Sequence, residues 1–502
     1  MQLEAVSPAP VAEPVAKRQS PRFLRLIFSF PVMLAMLLCV LSVLTVRGRF
    51  NDPDMWWHLK TGEIIRNTHH IPTVDTFSYT THNHAYVPHE WLAQLTIYAV
   101  YHFGGYSGMM LWLCVLGSLL LVAGYALCSV YSGNAKVAFL GAMGIWLFST
   151  VGLSIRPQMI GYLLLVCELL ILHFGRTRNV RWFFLLPPLF AVWVNCHGSF
   201  LLGFVVAALI LACSFVEFRM GLLVSHRWQK EARNFLAFAL LLSVAALFVN
   251  PIGWQQVTYP LDTIFHQSLQ MQVVSEWQPL KIEDARGMAL LGMAGLILLL
   301  PSLRRAPLYV HELLLLCVGA WFALHHNRMV FVFGIMTAPI LCRLLAGAWE
   351  SYEFHRDRIL PNAAMATFCA ATLVAAFPSS SSLVSQVQTG NPVKAVEFLR
   401  HSGISGNMLN EYVYGGYLIW AAPQRKVFVD GRGDVFEWTG VLQEFGNWTT
   451  LEADPRALLD KYRIDVCVLA HDAPMSRVLG LLPGWVTAYA DSSSVVFVRS
   501  PR

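Results

Sequence analysis

Runs of about 20 apolar residues recur along this chain with almost no charge inside them. They constrain the fold more than any other feature, because a helix of that length crosses the hydrocarbon core of a bilayer. The stretch 106–131 contains no Asp, Glu, Lys or Arg at all. About eleven spans are expected, at 26–46, 106–131, 137–153, 158–174, 182–195, 200–217, 235–250, 288–301, 308–324, 329–349 and 361–377. The chain has 502 residues and is only 13% charged, where a soluble domain is about 25% charged. That little charge cannot cover a soluble surface of this size. A soluble enzyme, a disordered chain and a secreted disulfide scaffold are therefore excluded. The net charge of +6 is modest and does not mark a nucleic-acid binder.

Lys and Arg orient the spans. With residues 1–25 on the cytoplasmic side, the inner segments hold sixteen Lys/Arg in 71 residues, and the outer ones eight in 108. Basic loops stay inside, so this orientation is preferred. The first span is too long for a signal peptide and has no small-residue cleavage site after it, so it reads as a retained anchor. An odd number of spans then places the C-terminal tail outside. The reading is a transmembrane part, 26–377, with a long first outer loop at 47–105. A linker follows at 378–390, then a small extracytoplasmic α/β domain at 391–502. In the tail, Asn391 is expected to cap a helix to His401, with Pro392 at its first position. Val427–Val429, Asp465–Ala470 and Ser494–Val498 read as strands, and Pro455–Tyr462 as a helix. Cys467 is the one tail cysteine, so no disulfide framework is expected.

The scarce polar residues gather on the outer side. The first outer loop begins Asn51-Asp52-Pro53-Asp54-Met55-Trp56-Trp57-His58. Trp56–Asn67 is expected to form an amphipathic helix at the membrane surface. His89-Glu90-Trp91 opens a second, ended by Gly104-Gly105. A pair of carboxylates one residue apart can serve a divalent metal, or one can act as general base while the other orients it. Equally, Asp54 can simply cap the helix that follows. Arg156-Pro157-Gln158, Asn195-Cys196-His197-Gly198 and His325-His326-Asn327-Arg328 also fall at outer span ends, and Glu276-Trp277 lies in the outer loop 251–287. Eleven of the 17 His lie on outer segments. A structural bundle has little reason for that bias, and burying such groups near hydrocarbon is costly. Arginine beside carboxylates suits a phosphorylated lipid, since the guanidinium fork matches phosphate. In the tail, Asp430-Gly431-Arg432-Gly433-Asp434 after a strand reads either as a ligand loop or as a Gly-rich turn with a surface ion pair.

These features together resemble the GT-C class of integral membrane glycosyltransferases. That class includes protein O-mannosyltransferases, lipid A aminoarabinose transferases and oligosaccharyltransferases. The elements carrying the resemblance are Asp52-Pro53-Asp54-x-Trp56-Trp57-His58-Leu59-x-x-Gly62, His89-Glu90-Trp91, Arg156-Pro157-Gln158 and Asn195-x-His197-Gly198. The likeness is to bacterial members and covers roughly residues 1–350. It implies a bacterial inner-membrane enzyme that takes a sugar from a polyprenyl-phosphate donor. The sugar goes to an extracytoplasmic glycan, lipid or protein acceptor. Asp52 or Asp54 is the implied catalytic base. His58, His89, Glu90, Arg156, Gln158, Asn195, His197, His325, His326 and Arg328 are candidates for holding substrate. Some members use a divalent metal and others none, so metal use stays open. The competing readings are a transporter or flippase for lipid-linked or anionic substrates, and a non-catalytic envelope subunit.

Overall fold

The structure, a computed structural model, describes residues 22–500 apart from 267 and 274. The cytoplasmic segment expected at 1–25 lies outside the described residues as far as residue 21. A helix occupies each of the eleven expected segments: Phe30–Val46, Trp91–Ser132, Ala135–Ser149, Gln158–Thr177, Leu186–Cys196, Phe200–Cys213, Lys230–Ala246, Ala285–Arg304, Val310–His325, Val330–Leu344 and Ile359–Ala376. Five helical stretches are long and apolar enough to cross a membrane: Trp91–Ser132, Gln158–Thr177, Ala285–Arg304, Asn327–Leu344 and Ile359–Ala376. The chain is thus a helical membrane protein with an α/β tail.

The helix Val330–Leu344 is the centre of the bundle. The apolar stretch containing it is 78% buried, against 22% for Ile359–Ala376 at the periphery. Small residues allow the close approaches there: a side chain on Gly334 would meet the Phe148 ring, and one on Gly141 would meet Cys128 and Cys342. Packing through small residues is what holds helices together where lipid removes the hydrophobic driving force. At the inner end, Phe218–Met220 pairs antiparallel with Leu223–Ser225, which pairs in parallel with Leu308–Tyr309. Beside this small sheet the Glu312 carboxylate takes the Arg343 Nε–H at 2.5 Å.

The first outer loop folds as two helices, Met55–Thr68 and the start of Trp91–Ser132. Gly105, at φ 55° and ψ −147°, breaks the second before it enters the bundle. Only glycine adopts that conformation without strain. The start of the first helix is enclosed by protein, however. Met55, Trp56, Trp57, His58 and Leu59 are all buried. Trp56 packs edge-on against Tyr417 of the tail, with ring centroids 5.1 Å apart. The tail covers this helix, so its tryptophans are core and not interface anchors.

The tail carries a four-stranded sheet in the order Asn407–Asn410, Ile464–Ala470, Ser494–Arg499, Trp485–Ala490. The first pair is parallel and the others antiparallel. Two expected strands and the helix Pro455–Lys461 are present. Within the stretch 378–390, Ser380–Gly390 is a helix capped by the Ser379 side chain. Two expectations need correction. Asn391 does not cap the helix after it: it is the C-terminal cap of Ser380–Gly390, its side chain donates to Asn51 and to the Val387 carbonyl, and Pro392 is the cap residue of Val393–His401. Val427–Val429 does not join the tail sheet. Val427 instead bridges in parallel to Ser78 of the first outer loop.

That bridge belongs to a larger weld between loop and tail. Arg432 donates from Nη2 to Asp430 Oδ2 at 2.6 Å and from Nη1 to Asp75 Oδ1 at 2.7 Å. All three side chains are essentially inaccessible to solvent. The Asp430–Arg432 pair is therefore no surface ion pair. The Arg432→Ala substitution would strand two buried carboxylates without their cation, which typically costs about 3–5 kcal/mol. A lower Tm and faster proteolysis within residues 378–430 are the expected outcomes. Unchanged values for both would mean that the ion triad does not hold the tail in place.

Candidate functional site

Asp52, Pro53 and Asp54 turn the chain from the first bundle helix into Met55–Thr68. Asp54 sits at the cap position of that helix, but its side chain makes no capping hydrogen bond. The turn is made by Asp52, whose Oδ1 accepts the Asp54 backbone N–H at 3.0 Å. This leaves the Asp54 carboxylate free for other contacts. Its Oδ1 accepts the Trp57 indole N–H at 3.2 Å, and its Oδ2 lies 3.1 Å from Arg156 Nη1. Arg156 lies in the turn before Gln158–Thr177. It donates its Nε–H to Asp52 Oδ2 at 2.6 Å and Nη1 to Glu276 Oε2 at 3.1 Å. One guanidinium therefore serves three carboxylates. Glu276 was visible in the sequence only as one more polar residue in an outer loop.

The two aspartates are not equivalent. Burial pushes the Asp54 pKa up to about 6, against the pull of Arg156 and helped by the neighbouring charge of Asp52. Burial works against the charge on Arg156, but Asp52, Asp54 and Glu276 outweigh it and hold its pKa above the ordinary value. Asp52 is the fixed partner and Asp54 is poised to exchange a proton near neutral pH.

A second group of predicted residues adjoins this one. Glu90 lies among three imidazoles: His197 Nε2 at 3.5 Å, His89 Nε2 at 3.6 Å and His58 Nδ1 at 3.8 Å. Burial opposes the Glu90 charge, yet His89 first, then His58 and His197, hold its pKa down to about 2. Burial also opposes a charge on His89, and Glu90 overcomes it, so the His89 pKa is raised. Burial wins for His58 and His197, each lowered to about 4 despite Glu90. Glu90 thus favours a charge on His89, while His58 and His197 are held toward the neutral form.

Arg328 and Gln158 meet through a hydrogen bond from Nη2 to Oε1, and the guanidinium lies 4.5 Å over the Trp277 ring. His326 contacts the Trp277 carbonyl through Nδ1 at 3.0 Å, which anchors the same loop. Two predicted residues stand apart. The Asn195 amide is consumed by structure, accepting from Trp91 Nε1 and donating to the Ala191 and Val249 carbonyls. His325 is bound to the Trp321 carbonyl and tilted against its ring, away from the carboxylates.

The tail closes the mouth. A side chain on Gly431 would overlap the Asp54 carboxylate and come within 3.1 Å of Trp57 Nε1. Only a bare backbone fits there. Asp434 Oδ2 accepts the Tyr259 hydroxyl at 2.9 Å, and Tyr259 stacks on His89 with centroids 3.9 Å apart. Glu437 accepts the backbone N–H groups of Leu269 and Gln270, both at 2.8 Å. The Asp430–Asp434 motif stood out in the sequence, but nothing there linked it to the first loop.

These residues do not fit a metal ion. A divalent cation takes oxygen ligands at about 2.0–2.6 Å, and the Arg156 guanidinium fills the space among Asp52, Asp54 and Glu276. At the Glu90 group, His197 Nδ1 accepts the Ser199 backbone N–H at 3.0 Å. Its proton is therefore on Nε2, which faces Glu90 as a donor and not as a ligand. Among the described residues, no three His, Cys, Asp or Glu side chains are grouped to hold a metal.

A stability test follows from Asp54. Its folded pKa of about 6 lies above its unfolded value. Ionising it therefore destabilises the fold progressively between about pH 4 and 6 and fully above that. Asp54→Asn is expected to raise stability at pH 7.5 by on the order of 1–3 kcal/mol, with little gain at pH 4. Thermal unfolding at both pH values checks this, and equal gains would contradict it.

No protein-family model matches the chain, and neither does any curated protein. Solved structures do. An oligosaccharyltransferase from Archaeoglobus fulgidus, crystallised with a tethered acceptor peptide containing the NVT sequon, aligns with TM-score 0.53 at 13% identity. That match covers 95% of this chain and 75% of that one. The archaeal oligosaccharyltransferase AglB from the same organism, in complex with an inhibitory peptide and a dolichol-phosphate, aligns with TM-score 0.52 at 13% identity, covering 93% and 74%. ArnT from Cupriavidus metallidurans, bound to undecaprenyl phosphate, aligns with TM-score 0.50 at 11% identity, covering 94% and 99%. Agreement over nearly the whole chain at such low identity concerns architecture: the protein has a GT-C-like fold.

Proposed function

We propose that the protein is a membrane glycosyltransferase that moves a sugar from a polyprenyl-phosphate donor to an acceptor at the extracytoplasmic face of a bacterial inner membrane. The observation that carries this reading is the unequal aspartate pair at the mouth. Asp54 has a pKa of about 6, and a general base works best when its pKa lies near the working pH. Asp52 is held by Arg156 at 2.6 Å and orients the turn that presents Asp54. In the proposed step, an acceptor hydroxyl gives its proton to Asp54 and its oxygen attacks the anomeric carbon. The bond from that carbon to the phosphate oxygen breaks, and the polyprenyl phosphate leaves with the electron pair. The fold supports the donor class, since ArnT binds undecaprenyl phosphate and AglB a dolichol-phosphate in the aligned structures.

The geometry divides the arginines. Arg156 faces three carboxylates and has no surplus positive charge for a phosphate. Arg328 is bound to the neutral Gln158 and lies over an indole ring, so its charge remains available for the leaving phosphate. Arg328→Ala is therefore expected to raise the donor KM and lower kcat by about 10²-fold or more. An unchanged kcat/KM would remove it from the site.

Transfer from a polyprenyl-phosphate hexose by the purified protein is the direct test. Asp54→Asn should abolish transfer while the protein stays folded; wild-type activity in that variant would remove Asp54 as the base, and no transfer by the wild type would end the reading. Since the base form prevails above its pKa, kcat/KM should rise with pH through about 6 and then level off. Arg156 already supplies the cation among the carboxylates, so transfer should persist in EDTA. A loss restored by a divalent metal would show that a metal displaces the guanidinium in the working enzyme.

A further inference from the structure

We propose, resting on the glycosyl-transfer reading, that the tail loop Asp430–Asp434 and the neighbouring Tyr412 form a carbohydrate-binding wall beside Asp54. The Asp434 carboxylate and the Tyr412 phenol take the ring hydroxyls of a sugar. The loop lies at the proposed base, because the Gly431 backbone abuts the Asp54 carboxylate. A group approaching Asp54 therefore passes along it. The loop is also preorganised. Asp430 Oδ1 accepts the Arg432 backbone N–H at 3.0 Å and its Nε–H at 2.8 Å, and Arg432 is tied in turn to Asp75. The position of the loop is thus fixed by the first outer loop and not by the tail alone.

Asp434 is the unusual member. Arg432 is committed to Asp430 and Asp75, and no ion pair among the described residues includes Asp434. Its Oδ2 accepts one hydroxyl, from Tyr259, while a carboxylate offers about four acceptor sites. Burial raises its pKa against the opposing influence of His89. The half-buried Tyr412 ring belongs to the same corner, where Asp54, Asp430 and Asp434 all act on its phenol. Tyr259 adds a second half-buried aromatic ring.

Spare carboxylate acceptors beside aromatic faces suit a polyhydroxylated ring. The ring donates O–H groups to the carboxylate and lays its C–H face on the aromatic surface. Phosphate is disfavoured here, because Asp54, Glu90 and Asp434 would all repel it. A purely apolar ligand would leave Asp434 desolvated and unpaired. The sugar can belong to the donor or to a glycan acceptor, and the hydroxyl chemistry is the same in both cases.

The test uses the full-length protein in lipid nanodiscs, with a panel of methyl pyranosides as probes and saturation-transfer NMR as the readout. Wild-type protein should bind at least one pyranoside. Asp434→Asn and Tyr412→Phe should each weaken that binding about tenfold, with limited proteolysis showing the tail still docked. If the bound pyranoside competes with a polyprenyl-phosphate hexose, the wall holds the donor sugar. If it competes only with the acceptor, the wall holds an acceptor sugar. Either result supports the proposal. No pyranoside binding by the wild type, or undiminished binding in both variants, would overturn it. Asp54→Asn should still bind the pyranoside, and a wild type that binds the pyranoside but transfers no sugar would defeat the transferase reading without touching this one.

Discussion

Everything at the outer mouth depends on how three carboxylates are kept charged, or nearly so, beside a hydrocarbon layer. A carboxylate removed from water needs a cation, hydrogen bonds or a proton. Here a single guanidinium, Arg156, lies among Asp52, Asp54 and Glu276. One positive charge cannot satisfy three negative ones. The closest contact goes to Asp52, and Asp54 is left with a raised proton affinity. The asymmetry on which the proposed chemistry relies is thus a shortage of cations, arranged by the positions of one turn and one loop.

The tail adds the second half of that effect. Burial is the largest influence on Asp54, and part of the covering surface is the backbone of Gly431. The first outer loop and the tail share a β-bridge and a buried ion triad, and Tyr259 of the helix Trp254–His266 adds a hydrogen bond to Asp434. The tail therefore belongs to the mouth as much as the loop does.

The bundle was legible in the sequence because hydrocarbon imposes a one-dimensional rule: long apolar runs become helices, and eleven runs gave eleven helices in the expected places. The clustering of Asp52, Asp54 and Arg156 was legible for a similar reason, since all three were placed on one side of the membrane. Contacts that join distant stretches follow no such rule. Glu276 looked no different from other loop carboxylates, and Val427–Val429 read as a tail strand because local pattern does not name a partner. Trp56 and Trp57 were read as interface anchors, since tryptophan favours that depth, and the tail that covers them is more than 300 residues away. Asn195 and His325 were read on the same face, but Asn195 is taken up by hydrogen bonds to Trp91, Ala191 and Val249, and His325 by the Trp321 carbonyl. Side of the membrane is encoded locally, whereas sharing a cavity is not.

The ion triad has a consequence for how the protein is made. Asp75 and Arg432 are 357 residues apart, and synthesis runs from the N-terminus. The bundle helices all emerge before the segment that covers Asp54 exists. Contacts of such sequence separation form late. A nascent or truncated chain would therefore hold Asp52, Asp54 and Arg156 in an open, hydrated mouth. The mature mouth closes only when the last quarter of the polypeptide has been made and docked.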